Sequence, residues 1–398
     1  MAKQKQLPEI PGLDVVKAKR YSRVRLVSLL VGTVWLLARA LWFALSGRSA
    51  GLRTAARETV PDRRLETPAY IAVVAALSWL TSLPLAYLTG HRVERRFGLT
   101  KQSTAGWLTD EAKGLALALA LEVPLASGAF AVIRRRPRDW WLILAGATVP
   151  LAVVLSNLAP VLIMPLFNKF EPIKDRALAE RIKGLAAQAG VKVTDVYVMD
   201  MSRQTEKANA FFTGLGNTKR IVLGDTLLER FAPEEVEGVV AHELGHQVHG
   251  DIWRLIALGS AFGFAGAFAA SRLAPPLIAR TARRSGVREL GDVASLPLLA
   301  LVFSLLGFVA APIQNAVSRA IERRTDRFAL ELTNNGAAYA ETMKRLAAQN
   351  LADPSPPEPV VIFLYSHPPV AERIAAANAY ALVHQPAGTT AAEVASSQ

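Results

Sequence analysis

About six stretches of this chain carry roughly twenty mainly apolar residues each, the length a helix needs to cross the hydrocarbon core of a bilayer. They start near Leu26, Ala69, Gly114, Trp140, Ile252 and Leu296. After the fourth the pattern changes: through "LFNKFEPIKDRALAERIKGLAAQAGV" apolar residues recur at helical spacing among charges, so the chain leaves the lipid there. "KVTDVYVMD" alternates and is β-branched, and "ANAFFTGLGNTKRIVLGDTLL" sets two strand-like runs around Gly214, Gly216 and Asn217, the pattern of a hairpin. Pro233 with Glu234 and Glu235 suits the first turn of a helix, where the dipole favours negative charge. That helix should run through "VVAHELGHQVHG" until Gly250 and Asp251 break or re-cap it. A second polar helix is expected over "VSRAIERRTDRFALEL" after the sixth stretch, with "DPSPPEP" separating it from "YSHPPVAERIAAANAY".

These patterns divide the chain into a basic cytoplasmic segment (1–23), a four-span block (24–166), a polar part with the "HELGH" helix (167–251), two further spans (252–317), a second polar part (318–384) and a disordered tail (385–398). The first span lacks a cleavage site and is interrupted by Arg39, so it reads as a retained helix rather than a removed signal peptide. The basic "KAKRYSRVR" places the amino terminus in the cytoplasm, and four crossings later the chain returns to that side. The loop bias is modest, because "RRRPRD" then falls outside.

Composition sharpens the picture. Hydrophobic residues make up 51% of the chain, too many for an ordinary soluble enzyme. Cysteine is absent, which excludes disulfides, thiolate metal sites and a cysteine nucleophile, so any metal must be held by His, Asp or Glu. The net charge of +13 raises the question of nucleic acid, but Lys and Arg concentrate beside the spans, where anionic headgroups attract them; the expected partner is the bilayer, with no nucleic acid.

His242 and His246 stand four apart, so on a helix they share one face and both imidazoles reach one Zn²⁺. Glu243 beside them is the general base of an H-E-x-x-H site: it takes a proton from the attacking water and passes it to the leaving amine. A third ligand is required. His249 falls on nearly the same face but about two turns, roughly 10 Å, from His242, too far to share the ion. Ile252 stands where the metzincin pattern has its third histidine. Glu322 is the better candidate, with Asp326 one turn later to orient a ligand imidazole; taken alone, the pair reads equally as a solvated face among Arg323, Arg324 and Arg327. Glu122, in the third span, is a costly membrane carboxylate without an assigned role. His91 and His384 read as ordinary loop or tail residues.

In order and spacing, "PLFNKF", "NAFF", "KRIVLGDTLL", "HELGH", "SRAIERRTDRFA" and "YSHPPVAER" resemble the type-1 CAAX prenyl proteases, multi-span gluzincin metallopeptidases, and more distantly the HtpX-like membrane proteases. The resemblance implies one Zn²⁺ per chain held by His242, His246 and Glu322, with Asp326 behind a ligand. It also implies catalytic roles for His367, which would steady the oxyanion, and for Arg373 nearby. Asn209, Ala210, Phe211 and Phe212 match the strand that pairs with substrate backbone in that family. Eukaryotic members have seven spans around a chamber; this chain shows no counterpart of the first.

The expected fold class is therefore mainly α: a polytopic membrane protein of about six transmembrane helices with a zincin-like metallopeptidase domain containing a small β-hairpin or sheet. The expected function is a membrane-embedded zinc endopeptidase acting on membrane-associated proteins or peptides in processing or quality control, in a bacterial cell membrane and facing the cytoplasm. Processing of prenylated carboxy termini is one alternative. A transporter or channel, or an inactive zinc-binding scaffold, are others.

Overall fold

The structure, a computed structural model, describes residues 8–213 and 219–384. Gly214, Gly216 and Asn217 of the anticipated turn and the tail 385–398 lie outside the described residues. The chain forms two compact units, one of Arg23–Phe167 and Trp253–Pro312, the other of the remaining described residues.

The first unit is built from helices α1 (Val15–Leu45, from Arg23 on), α2 (Arg48–Thr59), α3 (Glu66–Ala86), α4 (Arg92–Phe97), α5 (Thr104–Arg135) and α6 (Trp140–Leu158). Most of α10 (Asp251–Ser285) and the first half of α11 (Leu296–Thr333) complete it. Among the described residues, six segments are long and apolar enough to span a membrane, as the hydropathy pattern predicts: Val15–Leu45, Arg63–Phe97, Thr104–Arg135, Trp140–Leu166, Asp251–Ser285 and Val293–Thr333. They turn large apolar side chains outward, among them Leu30, Val34, Leu80 and Val309, as lipid solvation favours. Their contacts gather around Tyr70, Phe130, Trp140 and Val302.

Several polar groups inside this unit are paired across helices. Arg39 donates to the Ser78 carbonyl at 2.6 Å, Thr81 Oγ1 at 2.7 Å and Ser82 Oγ at 2.9 Å, so the charge that interrupts the first span joins α1 to α3. Ser49 Oγ lies 2.6 Å from the Tyr70 hydroxyl and donates to the Ala294 carbonyl at 2.7 Å. His91 corrects the expectation of a loop residue. It sits in a widened helical turn, Tyr87–His91, that joins α3 to α4, and its buried ring stacks on Trp107 at 5.5 Å.

The second unit carries a four-stranded sheet, ordered β1-β2-β4-β3, of β1 (Phe170–Pro172), β2 (Asp195–Met199), β3 (Ala210–Thr213) and β4 (Arg220–Gly224). β3 and β4 pair antiparallel, as the hairpin pattern predicts, with Phe211 opposite Val222. α7 (Arg176–Gln188) lies between β1 and β2; β2 and β4 run parallel, the chain between them passing through a short helical turn, Met201–Arg203, and β3, a pairing that adjacent strand-like runs in the sequence do not announce. A short helix α8 (Asp225–Leu228) follows β4, then α9 (Pro233–Val248), the end of α11, α12 (Gly336–Asn350), α13 (Glu358–Leu364) and α14 (Val370–Val383). The core joins Ile182, Val196, Ile221, Leu223, Val240, Leu244, Tyr339 and Ile374, and therefore lies directly behind α9.

The anticipated second polar helix is instead the last turns of α11, a single helix of 38 residues. Nothing after Pro312 breaks helical spacing, so the apolar run passes into "SRAIERRTDRFALEL" without a cap.

Candidate metal centre and active site

α9 begins where sequence places it. Pro233 occupies the first turn, and the buried Glu235 carboxylate accepts the Ala232 backbone N–H at 2.7 Å and Arg345 Nε at 2.9 Å. Its buried face carries Val236, Val240 and Leu244 into the core, and the next face presents His242, Glu243 and His246. The two rings stand perpendicular, with centroids 4.9 Å apart.

Glu322 comes from α11, nearly eighty positions away, and a close approach at Gly245 brings it within reach. A Cβ on Gly245 would meet Thr325 Cγ2 at 2.9 Å and Phe328 Cδ1 at 3.0 Å, so only glycine lets α9 lie this close to α11. A Cβ on Gly238 would meet Tyr339 and Thr342 of α12 less tightly, at 3.3 Å each.

The convergence is tight. Candidate ligand atoms of His242, His246 and Glu322 lie within 4.8 Å of one another. His242 Nε2 is 3.2 Å from Glu322 Oε2, and His246 Nε2 is 3.6 Å from Glu322 Oε1. A tetrahedral ion bound at about 2.0–2.1 Å separates its ligands by roughly 3.3 Å, close to both values. Glu322 Oε2 is buried and accepts no well-aligned hydrogen bond, an unsatisfied anion that a cation would complete. The residues present therefore fit a divalent metal, and soft thiolate sites are excluded by composition.

Each imidazole is held from behind. His242 Nδ1 lies 3.0 Å from Asp326 Oδ1, and Asp326 in turn accepts Arg373 Nε at 2.9 Å, an Arg373 terminal nitrogen at 2.6 Å and the Tyr339 hydroxyl at 2.7 Å. His246 Nδ1 lies 3.0 Å from Asp251 Oδ2, whose other oxygen pairs with Arg324. Asp251 is 1% exposed. Both rings thus turn Nε2 toward Glu322 and Nδ1 toward a carboxylate braced by arginine.

The local charges follow. Burial lowers the pKa of His242, but the Asp326 and Glu322 carboxylates outweigh it and push it up to about 9; a metal ion entering the group displaces that proton. Burial likewise raises Glu243 above the usual carboxylate range, only partly offset by His242 and His246. Burial alone would lower Arg373, and the Asp326 carboxylate overrides it and raises it.

The other anticipated residues fall as follows. His367, which is 55% exposed, reaches Nε2 to 3.4 Å from Glu322 Oε2, and its Nδ1 lies 2.9 Å from Ser366 Oγ. Arg373 sits on the Nδ1 side of His242, opposite the Nε2 edge, with Nε and one terminal nitrogen bonded to Asp326, the carboxylate that fixes it there. Asn209 is exposed just before β3, and its carbonyl accepts the Gly224 N–H at 2.9 Å. β3, with Ala210, Phe211 and Phe212, is the edge strand beside α9. His249 turns its ring edge to Phe328 at 5.4 Å, and Glu122 lies exposed on α5, outside the cluster.

Sequence reading misses Asp251, Arg324 and Tyr339. Asp251 reads as a helix cap, and the left-handed Gly250 between it and α9 hides its return to His246. Tyr339 carries no local signal at all.

Helices long and apolar enough to span a bilayer, and a His-His-Glu cluster drawn from two helices, α9 and α11, define a membrane-embedded metalloprotease. The comparisons agree: residues 172–381 match the model of peptidase family M48, residues 5–169 match that of the CAAX prenyl protease N-terminal region with five membrane helices, and the chain belongs to peptidase family M48. It is 33% identical over 363 residues to the uncharacterized metalloprotease YhfN of Bacillus subtilis, covering 91% of this chain and 84% of that one. It is 28% identical over 407 residues to CAAX prenyl protease 1 of Saccharomyces cerevisiae, covering 92% and 86% of the two chains. The crystal structure of S. mikatae Ste24p superposes with a TM-score of 0.84 at 25% identity, covering 94% of this chain and 92% of that one.

Proposed function

We propose that this chain is a zinc-dependent endopeptidase that cuts peptide bonds of membrane-associated proteins or peptides, with His242, His246 and Glu322 as the zinc ligands. The observation that carries the reading is the convergence of those three side chains beside Glu243, with an unsatisfied buried oxygen at their centre. When bound, the ion polarises the scissile carbonyl and lowers the pKa of water. Glu243, its proton affinity raised by burial, accepts the proton of the attacking water and returns it to the leaving amine. His367, the exposed imidazole nearest Glu322, donates to the oxyanion. Asp326, Arg373 and Tyr339 hold His242 with Nε2 forward, so Arg373 acts through its partner rather than on the substrate. The edge of β3 from Asn209 to Phe212 takes an extended substrate by strand addition, which suits varied sequences.

The natural role is processing or quality control of membrane proteins in a bacterial cell membrane, with the active site toward the cytoplasm. The likeness to CAAX prenyl protease 1 supports a second reading, cleavage of prenylated carboxy termini. One set of measurements tests both: bound zinc in detergent-purified protein, and cleavage of an unfolded peptide and of a prenylated peptide, with and without chelator. Glu243→Gln should keep the metal and lose turnover by about 10²–10⁴-fold. Full turnover in that variant overturns the mechanism, metal without cleavage of either peptide favours a scaffold, and selective cleavage of the prenylated peptide favours the second reading.

A further inference from the structure

Away from the metal cluster, the end of the second span carries a concentration of positive charge that proteolysis does not use. Arg92, Arg95 and Arg96 lie at i, i+3 and i+4 on α4, share one face and are exposed. With Tyr87 they line an open depression of about 490 Å³. Among the described residues no carboxylate lies within 4 Å of any of the three guanidinium groups; the acid on the same short helix, Glu94, reaches instead to Arg25 at 3.8 Å.

The widened turn Tyr87–His91 builds this depression. In a regular helix the residues stacked on Tyr87 one turn later are 90 and 91, and then 94. One extra residue in the turn shifts the register, the Arg92 N–H bonding the Tyr87 carbonyl, so Arg92 and Arg95 take places that residues 91 and 94 would otherwise fill and line the depression with Tyr87. The turn is braced from the side. Trp107 lies 5.5 Å from the Tyr87 ring and 5.5 Å from the His91 ring, stacked on the latter at 21°. His91 is 5% exposed, and its Nε2 has no hydrogen-bond partner. Tyr and Trp beside a span end are the side chains that settle at headgroup depth. By alternation of the six spans, Phe97 ends the second at the membrane face from which the first begins, the face that also carries the basic segment from Lys17 to Arg25.

We infer that Tyr87, Arg92, Arg95 and Arg96 form a binding site for the headgroup of an anionic phospholipid. Three unpaired guanidinium groups present forked donors to a phosphodiester, the tyrosine hydroxyl adds a fourth donor, and the apolar surface of the span below receives the acyl chains. A soluble phosphate shares the headgroup chemistry but gains nothing from the span. The position at the bilayer edge selects the lipid.

The test uses the full chain in nanodiscs or mixed micelles containing phosphatidylcholine with or without phosphatidylglycerol, and counts retained lipid by native mass spectrometry. The wild-type protein should retain phosphatidylglycerol in preference to phosphatidylcholine, and millimolar inorganic phosphate should not displace it. The triple variant Arg92→Gln, Arg95→Gln, Arg96→Gln should lose that preference, with affinity falling about a hundredfold at roughly tenfold or less per arginine. The triple Arg→Lys variant at the same positions should keep most of it, which separates lost charge from lost fold. A control triple, Arg135→Gln, Arg136→Gln, Arg138→Gln, removes the same charge from the end of α5 and the loop that leads to α6 and should retain lipid as the wild type does. Undiminished retention in the first variant, equal loss in the control, or displacement by inorganic phosphate overturns the proposal.

Discussion

Asp251 and Asp326 hold the two candidate histidine ligands in matching ways: a carboxylate 3.0 Å from Nδ1 and an arginine behind it. A carboxylate there fixes the tautomer that leaves Nε2 free and makes it a better donor to a metal. Asp251→Asn keeps the shape and removes the charge, leaving Arg324 without its anion. The expected result is a 10–100-fold loss of zinc affinity, read by competition against a chromophoric chelator, with overall fold retained. Unchanged affinity would show that Asp251 serves only to start α10. Of this arrangement, the Asp326 half is expected from the sequence through the family resemblance, since by spacing alone the pair of Glu322 and Asp326 reads equally as a solvated face. The Asp251 half is not, because a left-handed residue separates Asp251 from α9 and no periodicity carries across it.

At the scale of elements, the site depends on how near α9 and α11 approach. Gly245 sets that distance, since a Cβ there would press against Thr325 Cγ2 at 2.9 Å and Phe328 Cδ1 at 3.0 Å. Gly245→Ala should raise helix propensity slightly yet destabilise the protein by about 1–3 kcal/mol through overpacking, seen as a lower thermal midpoint. It should also weaken zinc binding, because Glu322 moves with its helix; a more stable variant would mean that the helices part without cost. The same glycine reads in sequence only as a small residue inside H-E-x-x-H. Its partners become known once α11 is found to continue unbroken from the last span, which carries Thr325 and Phe328 to fixed heights along α9.

At the scale of the whole molecule, two outcomes are expected. A metal that binds only the folded state stabilises it by mass action, so chelation should lower the thermal midpoint of the wild type, and zinc should restore it. His246→Ala should show a low midpoint insensitive to either treatment. The cysteine-free sequence also allows single labels to be placed at will. In intact cells, Arg136→Cys in the loop after α5 should react with a membrane-impermeant maleimide, while Lys183→Cys on α7 should react only after the cells are opened. Reaction at Lys183→Cys in sealed cells would reverse the orientation.

The sequence by itself determined the spans, the H-E-x-x-H helix and its two histidines. Each rests on local regularity: a run of apolar side chains long enough for a bilayer, or a spacing of four on a helix. It also carried Glu322 and Asp326, through an ordered set of motifs. Only the tertiary structure decided that Asp251, Arg324 and Tyr339 stand behind His242 and His246, that Arg373 faces Asp326, that His91 is buried against Trp107, and that β2 runs parallel to β4. These are contacts between positions far apart or across a break in regular structure. Burial and charge pairing fix them when the chain packs, and a one-dimensional pattern does not hold that information.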